Sequence, residues 1–208
     1  MKMKKLLSAM LLLVMSLSLS ACSGVNEAAV PVDEYFKAAK TLDTVAMEKQ
    51  ILPTNTEGIE KNKELLQAED DPFSKLFVDF MKDKAKKMTY TIKETKVDGD
   101  KATITVDTKY VDAGPLLKAV FGDLIMKMMG SALSGGEPSE EEAKTMFTTV
   151  MNEQTAKFEE TFKTKTIQIP VVKKDGKWYI EQVAEDMIDV ISSGFVSVVS
   201  EMGNAFGE

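Results

Sequence analysis

The chain has 208 residues, 44% of them hydrophobic and 28% charged, and its 26 basic residues, all lysine, face 33 acids for a net charge of −7. That balance suits one packed domain and disfavours nucleic acid or a polybasic grip on anionic lipid, both of which need clustered positive charge. The absence of histidine removes imidazole-based triads, the usual zinc centres and haem ligation through imidazole.

Residues 1–21 have the order of a secretory leader: lysines at 2, 4 and 5, an apolar run from Leu6 to Leu19, then small residues. The run is shorter than the roughly 20 residues that a spanning helix needs, so it reads as an export signal rather than a permanent anchor. Leu19-Ser20-Ala21-Cys22 resembles the bacterial lipobox, which implies cleavage before Cys22 and a diacylglyceryl group on its sulfur. Cys22 is the sole cysteine, so no disulfide within the chain competes for it. Cleavage would remove three lysines and leave 23 against 33 acids, a net charge of −10. Residues 22–31 are expected to be the lipidated cysteine and its tether, and 32–208 a single α+β domain.

Apolar residues at 35, 36, 39, 42, 45, 46 and 51 predict a first helix over 32–52, closed by Pro53. Residues 57–68 form a weaker helical stretch. Asp71-Pro72 supplies a cap and a first-turn proline for a helix to about Lys87, whose buried stripe is Phe73, Leu76, Phe77, Phe80 and Met81. From Met88 the period falls to two. Tyr90 and Ile92 share one face, Asp98-Gly99 turns, and Ala102, Ile104, Val106, Thr108 and Tyr110 line the return strand. Residues 112–163 predict a helical pair. Leu116, Leu117, Val120, Phe121, Leu124, Ile125, Met128 and Met129 repeat on one helix, residues 130–136 interrupt, and Ser139 with Glu142 forms a capping box for the second. A second hairpin follows, with Ile167, Ile169 and Val171 before Asp175-Gly176 and Trp178 and Ile180 after it. Residues 184–206 predict a final helix. The expected architecture is α+β: N-terminal helices, two antiparallel hairpins making a curved four-stranded sheet, a helical-pair insertion at 113–163, and a C-terminal helix.

Two stretches, Tyr35 to Asp43 and the hairpin from Ile169 to Ile180 with Asp175-Gly176-Lys177-Trp178 at its turn, resemble small lipoproteins of low-GC Gram-positive bacteria. Their domain is similar to the nuclear transport factor 2-like, or SnoaL-like, fold, and the resemblance covers residues 32–112 and 164–183. It implies a cone-shaped cavity on the sheet, but that fold hosts isomerases, dehydratases and binding modules alike.

Carboxylate chemistry of the isomerase type needs an acid and a phenol aimed at one substrate. Glu94 shares strand parity with Tyr90, whereas Asp107 falls on the opposite face from Tyr110 unless a bulge intervenes. Tyr90, Tyr110 and Trp178 either line a ligand cavity or fill core. Residues 69–71 and 140–142 are acidic but precede helices, where capping explains them, and residues 98–100 lack the spacing of a calcium loop. No phosphate-binding loop is present. Met126, Met128, Met129, Met146 and Met151 gather in the insertion, either as core filler or as an adaptable surface. The sequence therefore predicts an extracytoplasmic, lipid-anchored, non-enzymatic module for a small molecule or lipid, needing no cofactor or metal. A protein-interaction role is the alternative, and a carboxylate-dependent enzyme ranks third.

Overall fold

The computed structural model of the protein describes residues 26–55 and 72–206. The leader with Cys22, the weak helical stretch at 57–68 and the acids at 69–71 lie outside the described residues.

The fold begins earlier than the tether expected over 22–31 would allow. The Asn26 side chain accepts from the Ala28 amide and opens a 3-10 turn, Glu27–Ala29, whose two alanines are buried. Helix α1 follows at Val30–Ala39 with Pro31 in its first turn, where a missing N–H costs nothing. Its apolar face buries Val32, Tyr35 and Phe36. The single helix expected over 32–52 is instead split, because Leu42 takes a left-handed φ of 53° and Asp43 caps a new short helix, α2, Thr44–Glu48. This reversal brings Ile51 into a parallel bridge with Ile180. Helix α3, Pro72–Lys86, ends just ahead of the first strand.

Strands β1 (Thr89–Asp98), β2 (Lys101–Val111), β3 (Phe162–Lys174) and β4 (Lys177–Ile180) form one antiparallel sheet in the order β1-β2-β3-β4. Gly99 at φ +59° opens the first two-residue turn, and Asp175 and Gly176 both take positive φ in the second, the need that Asp-Gly meets. The inner face carries Ile104, Val106, Ile167, Ile169, Val171, Trp178 and Ile180. The outer face is largely threonine and charge, as expected of an antiparallel sheet with one side in water.

Between the hairpins lie α4, Gly114–Ser134, and α5, Glu140–Lys157. The capping box forms as expected, with Ser139 and Glu142 each satisfying the other's backbone amide. The break expected from Gly130 does not occur there. Helix α4 runs through that glycine, an interior position that a helix tolerates at about 1 kcal/mol, and stops at Gly135 with φ +123°. The C-terminal helix expected over 184–206 is two helices, α6 at Glu185–Ile191 and α7 at Phe195–Phe206. Ser193 and Gly194, at φ 54° and 88°, turn the chain between them, and the Asp189 carboxylate accepts from the Ser197 amide at 2.8 Å to cap α7.

Two apolar clusters result. The first packs α1, α2 and α6 on the inner sheet face, through Val32, Tyr35, Phe36, Met47, Met187 and Val190. The second joins Phe80 and Met81 of α3, Leu116, Leu117 and Val120 of α4, Phe147, Val150 and Met151 of α5, and Val198 of α7.

Candidate functional site

The inner sheet face, where the resemblance implies a cavity, is filled by side chains. Trp178 and Tyr110 are 8% and 4% exposed, and both belong to the first cluster with Ile104, Ile169 and Ile180. Burial, then the charge of nearby Asp189, raises the Tyr110 phenol above its ordinary range. Tyr90 stacks on Phe36 with ring centroids 5.0 Å apart. Its hydroxyl donates to the Asp33 carboxylate at 2.8 Å and to the Asp33 carbonyl at 3.1 Å.

Asp33 is thus the acid that meets Tyr90, a pairing that strand parity alone does not reveal. Glu94, the expected acid, is displaced by a β-bulge. Ile92 faces Val106 while Glu94 faces Thr105, so the extra residue Lys93 turns Glu94 to the outer face. There it is exposed and pairs with Lys96 at 3.1 Å. Asp107 lies on the outer face as expected, accepting from Thr166 at 2.7 Å with Lys93 at 3.8 Å.

The Asp33 carboxylate also binds Lys37 at 2.8 Å. Burial opposes its ionisation, but the bonds from Lys37 and Tyr90 prevail and hold the carboxyl below its ordinary value. The Tyr90 phenol moves the other way, raised first by burial and then by Asp33. A carboxylate held as a stable anion by two donors is a poor proton acceptor, and this arrangement fastens α1 to β1.

A shallow groove of about 390 Å³ opens on the outer face, lined by Thr89, Thr91, Asp107, Lys109, Thr164 and Thr166, with Tyr90 at its margin. It is open and polar, and its carboxylate is already engaged by Thr166. Among the described residues no three acids converge in a way that could hold a metal ion. Residues 140–142 sit in the first turn of α5, where Glu142 serves the cap.

A different cluster lies where α3 meets the loop before β3. Lys84 is 6% exposed, and its ammonium donates to Glu160 at 2.5 Å and Asp83 at 2.9 Å while lying over the rings of Phe80 and Phe158. Lys87 joins Glu160 at 2.7 Å. These bonds hold both carboxyls below their ordinary values, Glu160 through Lys84 and then Lys87, Asp83 through Lys84. Nothing local in the sequence marks Lys84 as the buried member of a lysine-rich helix.

Helix α4 departs most from an ordinary surface helix. Its first turns bury Leu116, Leu117 and Val120, yet farther on Met126, Met128, Met129 and Leu133 are 72%, 49%, 58% and 87% exposed. The methionines divide accordingly, Met151 filling the second cluster and Met126, Met128 and Met129 facing outward. Phe121 approaches Phe195 of α7 at 6.3 Å, and Phe77 of α3 meets the same ring at 5.5 Å.

The fold and these surfaces define an α+β protein with one open antiparallel sheet, a filled inner face and a partly bare helical pair. Among the described residues no helix is long and apolar enough to cross a membrane. No family model and no curated protein matches the chain. A crystal structure of a candidate lipoprotein from Bacillus subtilis is similar at 20% identity, with a TM-score of 0.43, over 78% of this chain. The chain spans 57% of that protein's length.

Proposed function

We propose that the protein is an extracytoplasmic lipoprotein, anchored through Cys22, that works by binding another protein rather than by enclosing a small ligand or turning over a substrate. The observation that carries this reading is the contrast between the two apolar surfaces. Side chains fill the inner sheet face, where a ligand cavity would lie, while a row of large apolar residues on α4 is left in water. Where the resemblance to the nuclear transport factor 2-like fold implies a cavity, Phe36, Ile104, Ile169 and Met187 are buried in the first cluster, which supports a closed core.

Anchoring fits the position of the fold. Asn26 already belongs to the folded chain, so three residues separate it from Cys22, and the four steps between them reach about 14 Å when extended. The domain would be held close to the bilayer, where two acyl chains suffice for a stable anchor. Two measurements test the reading. Cys22→Ala should release the protein from washed membranes, and retention would refute the anchor. Native mass spectra of residues 24–208, taken before and after incubation with an envelope lipid and metabolite extract, should show the chain or its oligomers with no small molecule added. A discrete added mass would overturn the protein-binding reading in favour of a small-molecule module.

A further inference from the structure

Helix α4 has two apolar faces, and the structure covers one. Leu117, Val120 and Leu124 turn toward the second cluster. On the other side Pro115, Ala119, Gly122, Met126, Met129 and Leu133 follow one another at spacings of four, three, four, three and four residues. That alternation is the heptad seam of a paired helix, and a helix that is apolar all round is one that becomes buried on all sides.

This outer stripe carries no charge. The charged residues of α4 are Lys118, Asp123 and Lys127, and none occupies the seam. The seam tapers from small residues to large ones. At Gly122 and at neighbouring Gly130 an added Cβ would meet nothing within 4 Å, so no packing among the described residues accounts for glycine at two interior helix positions. Each costs about 1 kcal/mol relative to alanine, and each leaves room for another backbone to approach.

We infer that the occupant of this seam is a second copy of the chain, with the two α4 helices side by side and parallel. Lys118 and Asp123 flank the seam five residues apart, the offset at which opposite charges meet across a parallel pair. Within one chain Lys118 reaches Glu201, and Asp123 accepts from Gln154. The exposed seam side chains Met126, Met129 and Leu133 present roughly 400 Å² per copy, and with the smaller contribution of Pro115 and Gly122 a symmetric pair buries about 800–1,000 Å², the size of a weak, reversible interface. A lipid surface fits less well. The tip of the helical pair carries Glu137, Glu140, Glu141 and Glu142, which an anionic bilayer repels.

This inference rests on the protein-binding reading and names its partner. The test uses the full chain in intact cells, where lipid caps Cys22 and a single introduced cysteine is the free thiol. Met126→Cys, Met129→Cys and Leu133→Cys should each give a disulfide-linked dimer on mild oxidation, and Lys96→Cys on the outer sheet face should not. Linkage at one seam position alone would mean antiparallel pairing, and linkage to a protein of different mass would mean a foreign partner. Either result, or no linkage, overturns the inference. Sedimentation of the detergent-solubilised chain should give a dimer, and Met126→Glu with Met129→Glu should weaken it by roughly tenfold or more. Both substituted side chains are exposed, and circular dichroism checks that the variant folds. A monomeric wild type, or a dimer unaffected by the two glutamates, would also overturn it. A small-molecule adduct in the native spectra would instead refute the broader reading and leave the crosslinking result standing.

Discussion

Replacing Glu160 by alanine should destabilise the protein more than removing the lysine that it serves. Lys84 is 6% exposed, and the substitution takes away its shortest bond, leaving Asp83 as the partner identified for it. A hydrogen bond to a charged group contributes about 1.5–3 kcal/mol, and breaking a wholly buried pair costs about 3–5 kcal/mol. Glu160 is 28% exposed and Asp83 remains, so Glu160→Ala should cost about 2–3 kcal/mol. Lys84→Met removes the charge but keeps an unbranched apolar chain against Phe80 and Phe158, and should lie within about 1 kcal/mol of wild type. Urea unfolding followed by far-ultraviolet circular dichroism measures both. The pH dependence supplies a second check. A carboxyl whose folded value is depressed contributes stability that is present above its unfolded value and disappears as pH falls through the folded one. The wild type should therefore lose stability from about pH 4.5 downward, and Glu160→Ala should lose less over that interval. Equal costs for the two substitutions, or parallel pH profiles for wild type and Glu160→Ala, would refute the assignment of Lys84 as a buried charge dependent on Glu160.

Deleting Lys93 should be tolerated within about 1 kcal/mol, because the residues on either side of the bulge already face consecutive residues of β2. Deleting Thr103, which is paired on both sides, should abolish cooperative unfolding, since every later inner-face residue of β2 changes sides. Loss of folding in the first deletion would contradict the bulge. Tyr90→Phe keeps the ring on Phe36 and removes its bond to Asp33, so it should cost about 1–2 kcal/mol in the same denaturation assay, and no measurable cost would show that the bond contributes nothing net.

Several parts of this protein are legible in the sequence because their causes lie within a few residues of one another. Asp175-Gly176 meets the positive φ of its turn, alternation assigns Ile167, Ile169 and Val171 to one face, and Ser139 with Glu142 closes a cap across three positions. The α+β order of helices, hairpin, helical pair, hairpin and terminal helices follows from such signals. Boundaries were less legible. Residues 32–52 and 184–206 each carry a continuous helical stripe, yet Leu42 and Ser193 adopt left-handed conformations that their side chains disfavour, because the flanking helices must pack in different places. Gly130 shows the reverse, a nominal breaker carried through by the helix around it.

The candidate site depended still more on tertiary structure. Parity placed Glu94 beside Tyr90, and one bulge residue reversed it; the acid that does meet Tyr90 lies 57 positions away in the chain. Lys84 resembles its neighbours Lys82, Lys86 and Lys87 until Glu160, 76 positions on, folds over it. By itself the sequence determined the α+β class and local turns, and it marked out the expected leader, lipobox and apolar stripe of α4. Only the tertiary structure decided which apolar face is covered and which charge is buried, because burial belongs to pairs of surfaces brought together from distant parts of the chain and cannot be assigned to one segment alone.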